Sequence, residues 1–375
     1  MTVSTTGAGS LLIGAAALAL LTGGCASLLG ADFDRPGAED ADGGVGGGLG
    51  GGLGDGGGVG LGVGDGGGVG NGVGNGNGGG VGTGDGGAGA GGDGGGLVGA
   101  SSLVLFGGNG PTAILADTWS WDGNTWRAAG ASGPPGRYGA AIAGYGGKVV
   151  LFGGTGYGGQ RFGDTWVWDA SRWTKVSDTG PTARGYAAMA AVQGKLVLFG
   201  GTDGVQDLAD TWAWDGAAWS RLTTSGPSAR SDAAATSLGA SMVLVGGYHS
   251  TTYFAETWSF DGATWQRKNG GPGARRNAAL STQGGVALLF GGFDGTSYLK
   301  DTWTFDGSTW SERAVTSPSA RAEASVASWR GGTLLFGGVD DTGYLADTWT
   351  WSGTAWTPLM DGTPSPRGLT AMAGP

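Results

Sequence analysis

The sequence predicts an all-β protein in which residues 97–375 form a six-bladed β-propeller closed by a C-terminal strand. The first observation behind this prediction is a unit of about 46 residues that recurs six times. The second glycine of a Gly-Gly doublet marks each copy, at Gly108, Gly154, Gly201, Gly247, Gly292 and Gly338, in steps of 46, 47, 46, 45 and 46 residues. A repeat this regular is a unit of structure.

The second observation is that turn signals divide each unit into four short strands, A to D. In the second copy we predict strand A at Gly139–Ala143, strand B at Lys148–Phe152, strand C at Asp164–Trp168 and strand D at Trp173–Val176. Four such strands make one small antiparallel sheet. An array of sheets that are each too thin to be stable alone becomes a β-propeller when it closes on itself.

The third observation is that the four strands differ in residue type. Strand A carries small side chains, as in Ala187–Ala191, which suit strands crowded around an axis. Strand B is apolar without alternation, as in Leu196–Phe199, which is typical of a strand buried on both faces. Strand C puts Trp166 and Trp168 on one face, so we expect both indoles to pack between neighbouring sheets.

The ends of the repeat region indicate how the propeller closes. The first unit begins directly at a strand B, Leu103–Phe106, and the last unit is followed by an additional strand A, Gly368–Ala373. One strand missing at the start and one left over at the end make six complete blades. The final strand is expected to pair with the first unit and leave no open edge.

These repeats resemble the kelch repeat. The resemblance rests on the doublet after an apolar strand, a Trp-x-aromatic-Asp strand, and a second Trp shortly after it, in all six copies. The last copy has Ser352 in place of the Asp, and Trp168 and Trp173 enclose four residues where the family usually has six, which implies a tighter turn between strands C and D. The resemblance implies a propeller fold.

The N-terminal segment predicts export and a lipid anchor. The apolar run Leu11–Leu21 is too short to span a bilayer but suits a signal peptide, here residues 1–24. It is followed by Thr22-Gly23-Gly24-Cys25, which resembles the lipobox of bacterial lipoproteins and makes Cys25 the lipidated residue. Two features depart from that pattern: Thr22 stands where Leu is usual, and no Lys or Arg precedes Leu11. An ordinary cleavable signal or a chance apolar stretch is the alternative. We expect a cell-envelope protein, anchored in a membrane and facing the periplasm or the cell surface.

Residues 25–96 are predicted to be a disordered tether that is first acidic and then almost wholly glycine. Such a composition cannot bury enough apolar surface to offset the entropy of ordering it.

Composition excludes several classes of function. The net charge is -10 with only 20 Lys and Arg, which disfavours nucleic acid as a partner. One cysteine and one histidine, His249, exclude an intramolecular disulfide and any site built from two histidines, including that of the kelch-like copper radical oxidases. We therefore predict no catalytic residues, no metal and no cofactor.

Candidate binding residues lie on one face of the predicted propeller. Strands B and D run in the same direction, so the loops after both of them emerge together. We predict a ligand-binding surface of aromatic side chains and one histidine in the B to C loops, namely Tyr157, Tyr248, His249, Tyr253, Phe254, Phe293, Tyr298 and Tyr344. The alternative is that several of these aromatic residues merely cover the ends of the sheets.

The same face carries two regular rings of charge. One arginine ends the loop before each strand A, at Arg137, Arg184, Arg230, Arg275, Arg321 and Arg367. One acid precedes each Thr-Trp pair, at Asp117, Asp164, Asp210, Glu256, Asp301 and Asp347. We interpret the rings as structural arginine–carboxylate pairs within or between blades. The alternative is a ring of arginines around the channel mouth for an anionic ligand.

The function predicted from these features is a non-catalytic, extracytoplasmic and monomeric binding module that recognises a protein or a surface glycan. Two other functions stay open. A carbohydrate-active enzyme would bring acids and arginine together at the channel mouth with shifted pKa values, and a purely structural envelope protein would have a featureless loop face.

Overall fold

The structure is a computed structural model, and it describes residues 102–130, 132–360 and 364–375. Within these ranges the chain forms six four-stranded antiparallel sheets arranged as the blades of a propeller. The predicted signal peptide, Cys25 and the glycine-rich tether lie outside the described residues. Strands are numbered below in chain order, and blades are numbered by their second strand.

The first strands of the six blades contact one another in a closed ring around the central axis. They are β28 (Ala371–Ala373) in blade 1, then β4 (Ala141–Tyr145), β8 (Ala188–Val192), β12 (Ala234–Leu238), β18 (Ala279–Gln283) and β22 (Ser325–Trp329). The second strands are β1 (Leu103–Asn109), β5 (Lys148–Phe152), β9 (Lys195–Phe199), β13 (Ser241–Val245), β19 (Val286–Phe293) and β23 (Gly332–Phe336).

The third and fourth strands complete each sheet outward. The third strands are β2 (Ile114–Trp121), β6 (Thr165–Trp168), β10 (Thr211–Trp214), β16 (Thr257–Phe260), β20 (Tyr298–Phe305) and β26 (Thr348–Trp351). The fourth are β3 (Trp126–Ala128), β7 (Trp173–Ser177), β11 (Trp219–Leu222), β17 (Trp265–Lys268), β21 (Trp310–Glu312) and β27 (Trp356–Leu359). Two small hairpins lie in loops, β14 (Tyr248–His249) with β15 (Thr252–Tyr253), and β24 (Val339–Asp340) with β25 (Gly343–Tyr344).

The six-bladed fold and its closure are confirmed. The C-terminal strand β28 pairs with β1 through Val104 and Ala373, and so completes blade 1. Strand β5 has the predicted bounds, whereas β4 begins at Ala141 instead of Gly139. The reason is that Gly139 has φ +60° and bonds to the neighbouring blades, so it cannot be part of an extended strand.

Tryptophans join each blade to the one before it. Trp168 is buried with Leu151 of its own blade and with Val104 of blade 1. The indole nitrogen of Trp173 donates a hydrogen bond of 3.0 Å to Thr118 of blade 1. The equivalent bonds are Trp219 to Thr165, Trp265 to Thr211, Trp310 to Thr257, Trp356 to Thr302 and Trp126 to Thr348. Trp168 and Trp173 are therefore core residues, whereas Trp166 is only half-buried and its indole nitrogen donates a 2.7 Å hydrogen bond to Asp164.

The turn between third and fourth strands is tight, as its short spacing implies. In blade 1 the Asp122 carboxylate accepts hydrogen bonds from the backbone amides of Asn124 (2.9 Å) and Thr125 (3.0 Å). In blade 6 the Ser352 hydroxyl accepts the equivalent bonds at 3.4 and 3.3 Å. The substitution therefore leaves a weaker turn in that blade.

In the part of the chain that the structure describes, there is no helix with the length and apolarity needed to span a membrane.

Candidate functional site

One face of the propeller brings together the loops between second and third strands and the segments that lead into each first strand. Isolated backbone bridges join them within each blade, for example Tyr138 with Thr155 and Arg276 with Phe293. We call this the loop face. Some residues of this face are the same in every blade and others differ between blades. The candidate site lies among those that differ.

The constant part consists of the arginine–acid pairs, which form within blades. Arg184 donates hydrogen bonds to both carboxylate oxygens of Asp210, at 2.6 and 3.0 Å. It also donates to the carbonyl oxygens of Gly200 (3.0 Å) and Thr182 (2.9 Å). The pairs are Arg137–Asp164, Arg184–Asp210, Arg230–Glu256, Arg275–Asp301, Arg321–Asp347 and Arg367–Asp117. The arginine side chains are at most 4% exposed.

Each doublet joins this pair to the next blade. The amide of Gly201 donates a 3.0 Å hydrogen bond to the carbonyl oxygen of Arg230, which belongs to the following blade. Gly200 has φ +66°, and a Cβ added there would lie 2.6 Å from the same carbonyl oxygen. Only glycine fits both the backbone conformation and the close approach. We call the doublets, the six arginines and the six acids the frame.

The charges of the frame are committed to structure. Burial alone would raise the pKa of Asp210, but hydrogen bonds from Arg184 and Trp212 and the attraction of the guanidinium outweigh it and lower the pKa. The pKa is lowered in the same way at Asp117, Asp164, Glu256, Asp301 and Asp347. With both partners held by several hydrogen bonds, these groups have little capacity for a ligand.

The variable part begins two residues after each frame arginine. The six residues there are Gly139, Tyr186, Asp232, Asn277, Glu323 and Leu369, and all have left-handed φ values between +52° and +62°. The backbone amide of each donates to the carbonyl of its equivalent in the preceding blade, at 2.7 to 3.1 Å, and Gly139 donates to Leu369 to complete the circle. We call this closed circle of hydrogen bonds the channel ring.

The channel ring surrounds a recess of about 140 Å³ at the channel mouth. Its walls are the six ring residues, and its floor is a nearly uniform layer of Ala140, Ala187, Ala233, Ala278, Ala324 and Thr370. The frame arginines are not among these lining residues. The recess therefore does not match the alternative of an arginine-lined mouth for an anion, since its charged side chains are the acids Asp232 and Glu323.

Glu323 has the most perturbed environment of the ring residues. Burial raises its pKa to about 7, the negative charge of Asp232 adds to the effect, and the positive charge of Arg276 opposes it. Burial also raises the pKa of Tyr344 to about 12, and that of Tyr298 above its usual value, in both cases with a contribution from Glu323. Glu323 therefore interacts with each of the other four groups at one side of the channel mouth.

Beside the recess lies a cluster that we call the aromatic patch, which consists of Tyr248, Tyr253, Phe293 and Tyr298. Ring centroids are 4.9 Å apart between Tyr248 and Tyr253, 6.1 Å between Tyr253 and Phe293, and 5.3 Å between Phe293 and Tyr298. The Arg276 guanidinium lies 5.0 Å from the Tyr248 ring centre and 5.8 Å from those of Tyr253 and Phe293. Loops of blades 4 and 5 thus contribute to one surface.

The other predicted ligand-binding residues have separate surroundings. His249 pairs with Asp207 of blade 3 at 2.9 Å. The Arg230 guanidinium lies 3.8 Å above the Phe254 ring, so Phe254 covers the frame. The Tyr344 hydroxyl accepts a 2.7 Å hydrogen bond from Asn109. Tyr157 lies in the 3₁₀ helix Tyr157–Gly159 of blade 2 and is 91% exposed.

Sequence reasoning missed Arg276 and the channel-ring residues Tyr186, Asp232, Asn277 and Glu323. The signal that could have found the ring is its position in the repeat. Two residues after the invariant arginine, all six copies differ, whereas the next position is Ala in five copies and Thr in the last.

The described residues contain no group of three or more His, Cys, Asp or Glu side chains placed to hold a metal ion.

The fold and the repeated frame define the protein class as a β-propeller made of kelch-type repeats. A family model, the KLHDC2/KLHL20/DRC7 Kelch-repeats domain, matches residues 97–270. Together with the six-bladed structure, this match shows that the chain is a kelch-repeat propeller protein. A comparison with curated proteins found no match. Kelch propellers are generally protein-binding scaffolds and are usually not enzymes.

Proposed function

We propose that this chain is a non-catalytic binding module that recognises a protein partner through the loop face. The observation that carries the proposal is the aromatic patch: four aromatic rings from two blades, grouped around Arg276, on a rigid scaffold. Tyrosine and arginine are enriched among the residues that dominate protein interfaces. Each patch side chain is half-buried, so its apolar surface is held in place while part of it stays accessible.

Charge indicates the kind of partner. Outside the frame, the loops between second and third strands and the two residues after each frame arginine carry seven acids, namely Asp203, Asp207, Asp232, Asp294, Glu323, Asp340 and Asp341. They carry two bases, Arg161 and Arg276. Seven carboxylates against two cations favour a partner with a basic surface. A neutral surface glycan would make no use of this excess.

The proposal is tested with full-length protein in a quantitative pull-down from envelope extract. The double variant Tyr253→Ala with Phe293→Ala should lose at least about tenfold in binding, since it removes central rings of the patch. Tyr157→Ala is the matched control, because it removes an exposed aromatic ring of the same face outside the patch. Equal binding by the double variant, with an unchanged melting temperature, would reject the patch. Binding to a glycan array that depends on the patch would assign the surface to a glycan instead.

One observation favours a second candidate, a carbohydrate-active enzyme. Asp232, Glu323 and Arg276 interact at the channel mouth, and the pKa of Glu323 is raised to about 7, as a general acid requires. The recess argues against this candidate, because about 140 Å³ is well below the roughly 300 Å³ at which small-molecule sites begin. A panel of nitrophenyl glycosides tests it, and hydrolysis by the wild type that disappears in Glu323→Gln would establish it.

The proposed setting of this module is the cell envelope, with export directed by residues 1–24 and a lipid on Cys25. The support is the apolar run and the small residues before the single cysteine. In a bacterial host, radiolabelled palmitate should enter the wild type and not Cys25→Ser. Labelling of neither protein would remove the anchor from the proposal. The monomeric state that we propose is measured by light scattering of detergent-solubilised protein.

A further inference from the structure

We propose that His249 and Asp207 are positioning residues for recognition. Their hydrogen bond braces the loop hairpin β14–β15 of blade 4 against blade 3, so that the rings of Tyr248 and Tyr253 are held where a protein partner meets them. This inference rests on the proposed function, because it concerns how the aromatic patch is presented. It gives His249 a role behind the binding surface in place of direct contact with the ligand.

The hairpin is too short to hold its own orientation. Each of its strands has two residues, with Tyr248 opposite Tyr253 and His249 opposite Thr252. A two-stranded hairpin is only marginally stable in water, even when it is longer than this one. At the base of the hairpin, the backbone of Tyr248 exchanges hydrogen bonds of 2.9 and 3.0 Å with Ser231. The residues beyond that base therefore depend on side-chain contacts.

The two faces of the hairpin are turned to different blades. Successive residues of a strand alternate between faces, and residues directly opposite each other share one. Tyr248 and Tyr253 therefore lie on the same face. That face packs on blade 5, since a Cβ added to Gly295 would lie 2.9 Å from the Tyr253 ring. His249 lies on the other face, which is turned to blade 3.

The contact on this second face is the hydrogen bond between His249 and Asp207. The Nδ1 atom of His249 lies 2.9 Å from Oδ2 of Asp207. Because a carboxylate can only accept hydrogen bonds, Nδ1 is the donor. The Asp207 side chain is only 15% exposed, and its backbone forms a bridge with Thr202 within the loop of blade 3. The carboxylate is thus held by its own loop and offers the hairpin a fixed acceptor.

The second loop hairpin of the described residues has a comparable brace. In β24–β25 of blade 6, the Tyr344 hydroxyl accepts a 2.7 Å hydrogen bond from the Asn109 side chain of blade 1. Two hairpins of different sequence are therefore each bonded through side chains to a neighbouring blade. The recurrence of such a bond with different residue types supports a bracing role for the pair of His249 and Asp207.

The brace is tested first without a partner, by NMR of the full chain with isotope-labelled tyrosine rings. Asp207→Ala should shift the signals of Tyr248 and Tyr253 and leave that of Tyr344 in blade 6 unchanged. Asp207→Asn should leave all of them near their wild-type positions, since its amide oxygen still accepts the hydrogen bond. His249→Ala and His249→Asn form the equivalent pair of variants, because the asparagine side chain keeps a donor.

Recognition is then tested in the pull-down assay with envelope extract. Asp207→Ala should lower binding about fivefold, the effect of one hydrogen bond of ordinary strength, without a change in melting temperature. Asp207→Asn should restore most of the binding. Asp341→Ala is the matched control for the lost charge, because it removes an exposed acid of the same face in blade 6.

Unchanged tyrosine signals in Asp207→Ala would overturn the inference. Binding that falls equally in Asp207→Ala, Asp207→Asn and Asp341→Ala would also overturn it, because only negative charge would then matter. The two proposals fail separately. If the double variant Tyr253→Ala with Phe293→Ala loses its partner but Asp207→Ala keeps it, the inference is wrong and the patch remains the interface. If the double variant keeps its partner, the proposed function is wrong, while the tyrosine signals still decide whether the pair braces the hairpin.

Discussion

Arg275 and Arg276 are neighbours in the chain but belong to different parts of the molecule. Arg275 is buried, binds both carboxylate oxygens of Asp301 at 2.7 and 2.8 Å, and has an equivalent in every blade. Arg276 lies at the surface among aromatic rings, and its equivalents in the other copies are uncharged. Comparison of the frame with the channel mouth indicates that the residues repeated in every blade hold the propeller together. The positions at which the blades differ carry the residues available for recognition.

The largest effect that we expect is on lowering the pH, which should destabilise the frame but relieve the cost of ionised Glu323 at the channel mouth. The frame acids have lowered pKa values, so their stabilisation is present above the unfolded-state pKa, which is 3.8 for the five aspartates and 4.5 for Glu256, and it is lost as pH falls through the folded-state values. Because six pairs titrate together, we expect unfolding below about pH 3.8. Glu323 has the opposite sign, since its raised pKa makes its ionisation destabilising above pH 7 and relieved as pH falls towards 4.5. Melting temperatures from pH 3 to 8 measure both effects.

Glu323→Gln is the matched variant for that experiment. It should raise the melting temperature at pH 8 and leave the transition at low pH unchanged. Loss of the low-pH transition in this variant would contradict the assignment of acid stability to the frame.

Substitution of the two neighbouring arginines tests the comparison directly. Arg275→Met leaves Asp301 without its buried partner and should cost about 3–5 kcal/mol of unfolding free energy. Arg276→Met removes cation–π contacts at a half-buried site and should cost less than about 1 kcal/mol. Urea unfolding followed by tryptophan fluorescence measures both. Similar losses for the two variants would mean that the frame and the mouth are not energetically distinct.

A side chain introduced at either of two glycines with similar backbone angles provides a third test. Gly153 has φ +65°, and an added Cβ would lie 2.5 Å from the Arg184 carbonyl oxygen, so Gly153→Ala should cost about 2–4 kcal/mol. Gly139 has φ +60° in the channel ring, where five other copies carry side chains, and its nearest contact would be the Tyr186 ring. We expect Gly139→Asn to cost within about 1 kcal/mol. The melting temperatures of the two variants, compared with that of the wild type, test these expectations.

The smallest expected effect is that of Ser352→Asp, which gives blade 6 the aspartate that the other five blades have. The aspartate should shorten the hydrogen bonds that Ser352 accepts at 3.4 and 3.3 Å and so add about 0.5–1 kcal/mol to the unfolding free energy. Ser352→Ala is the control and should destabilise slightly. No gain from the aspartate would mean that this turn does not limit the stability of blade 6.

The sequence predicted the repeated part of the structure well, because each copy confirms the others. The bounds of β5, the closing strand β28 and the association of arginines with acids all follow from patterns written six times. Pairing within blades could not be distinguished from pairing between blades, because each arginine of blades 2 to 6 has one acid after it in its own blade and another before it in the preceding blade.

The channel mouth was less predictable for a physical reason. Arg276, Asp232 and Glu323 are polar residues in short connecting segments, where polar residues are expected whether or not they share a site. Only the geometry of the propeller brings these residues of blades 4, 5 and 6 to one side of the channel mouth. The aromatic residues Tyr248, Tyr253, Phe293 and Tyr298 were predicted as loop-face residues, but their grouping depends on loops of two different blades.

The channel ring has a consequence for how the molecule unfolds. In an open array of repeats, the terminal units lack a neighbour and fray first. Here the amide of Gly139 donates to Leu369 as Tyr186 donates to Gly139, so in the propeller every unit has a neighbour on both sides. No blade is an end, and loss of any one blade opens the circle for all the others. Heating should therefore produce a single cooperative transition, with equal calorimetric and van't Hoff enthalpies.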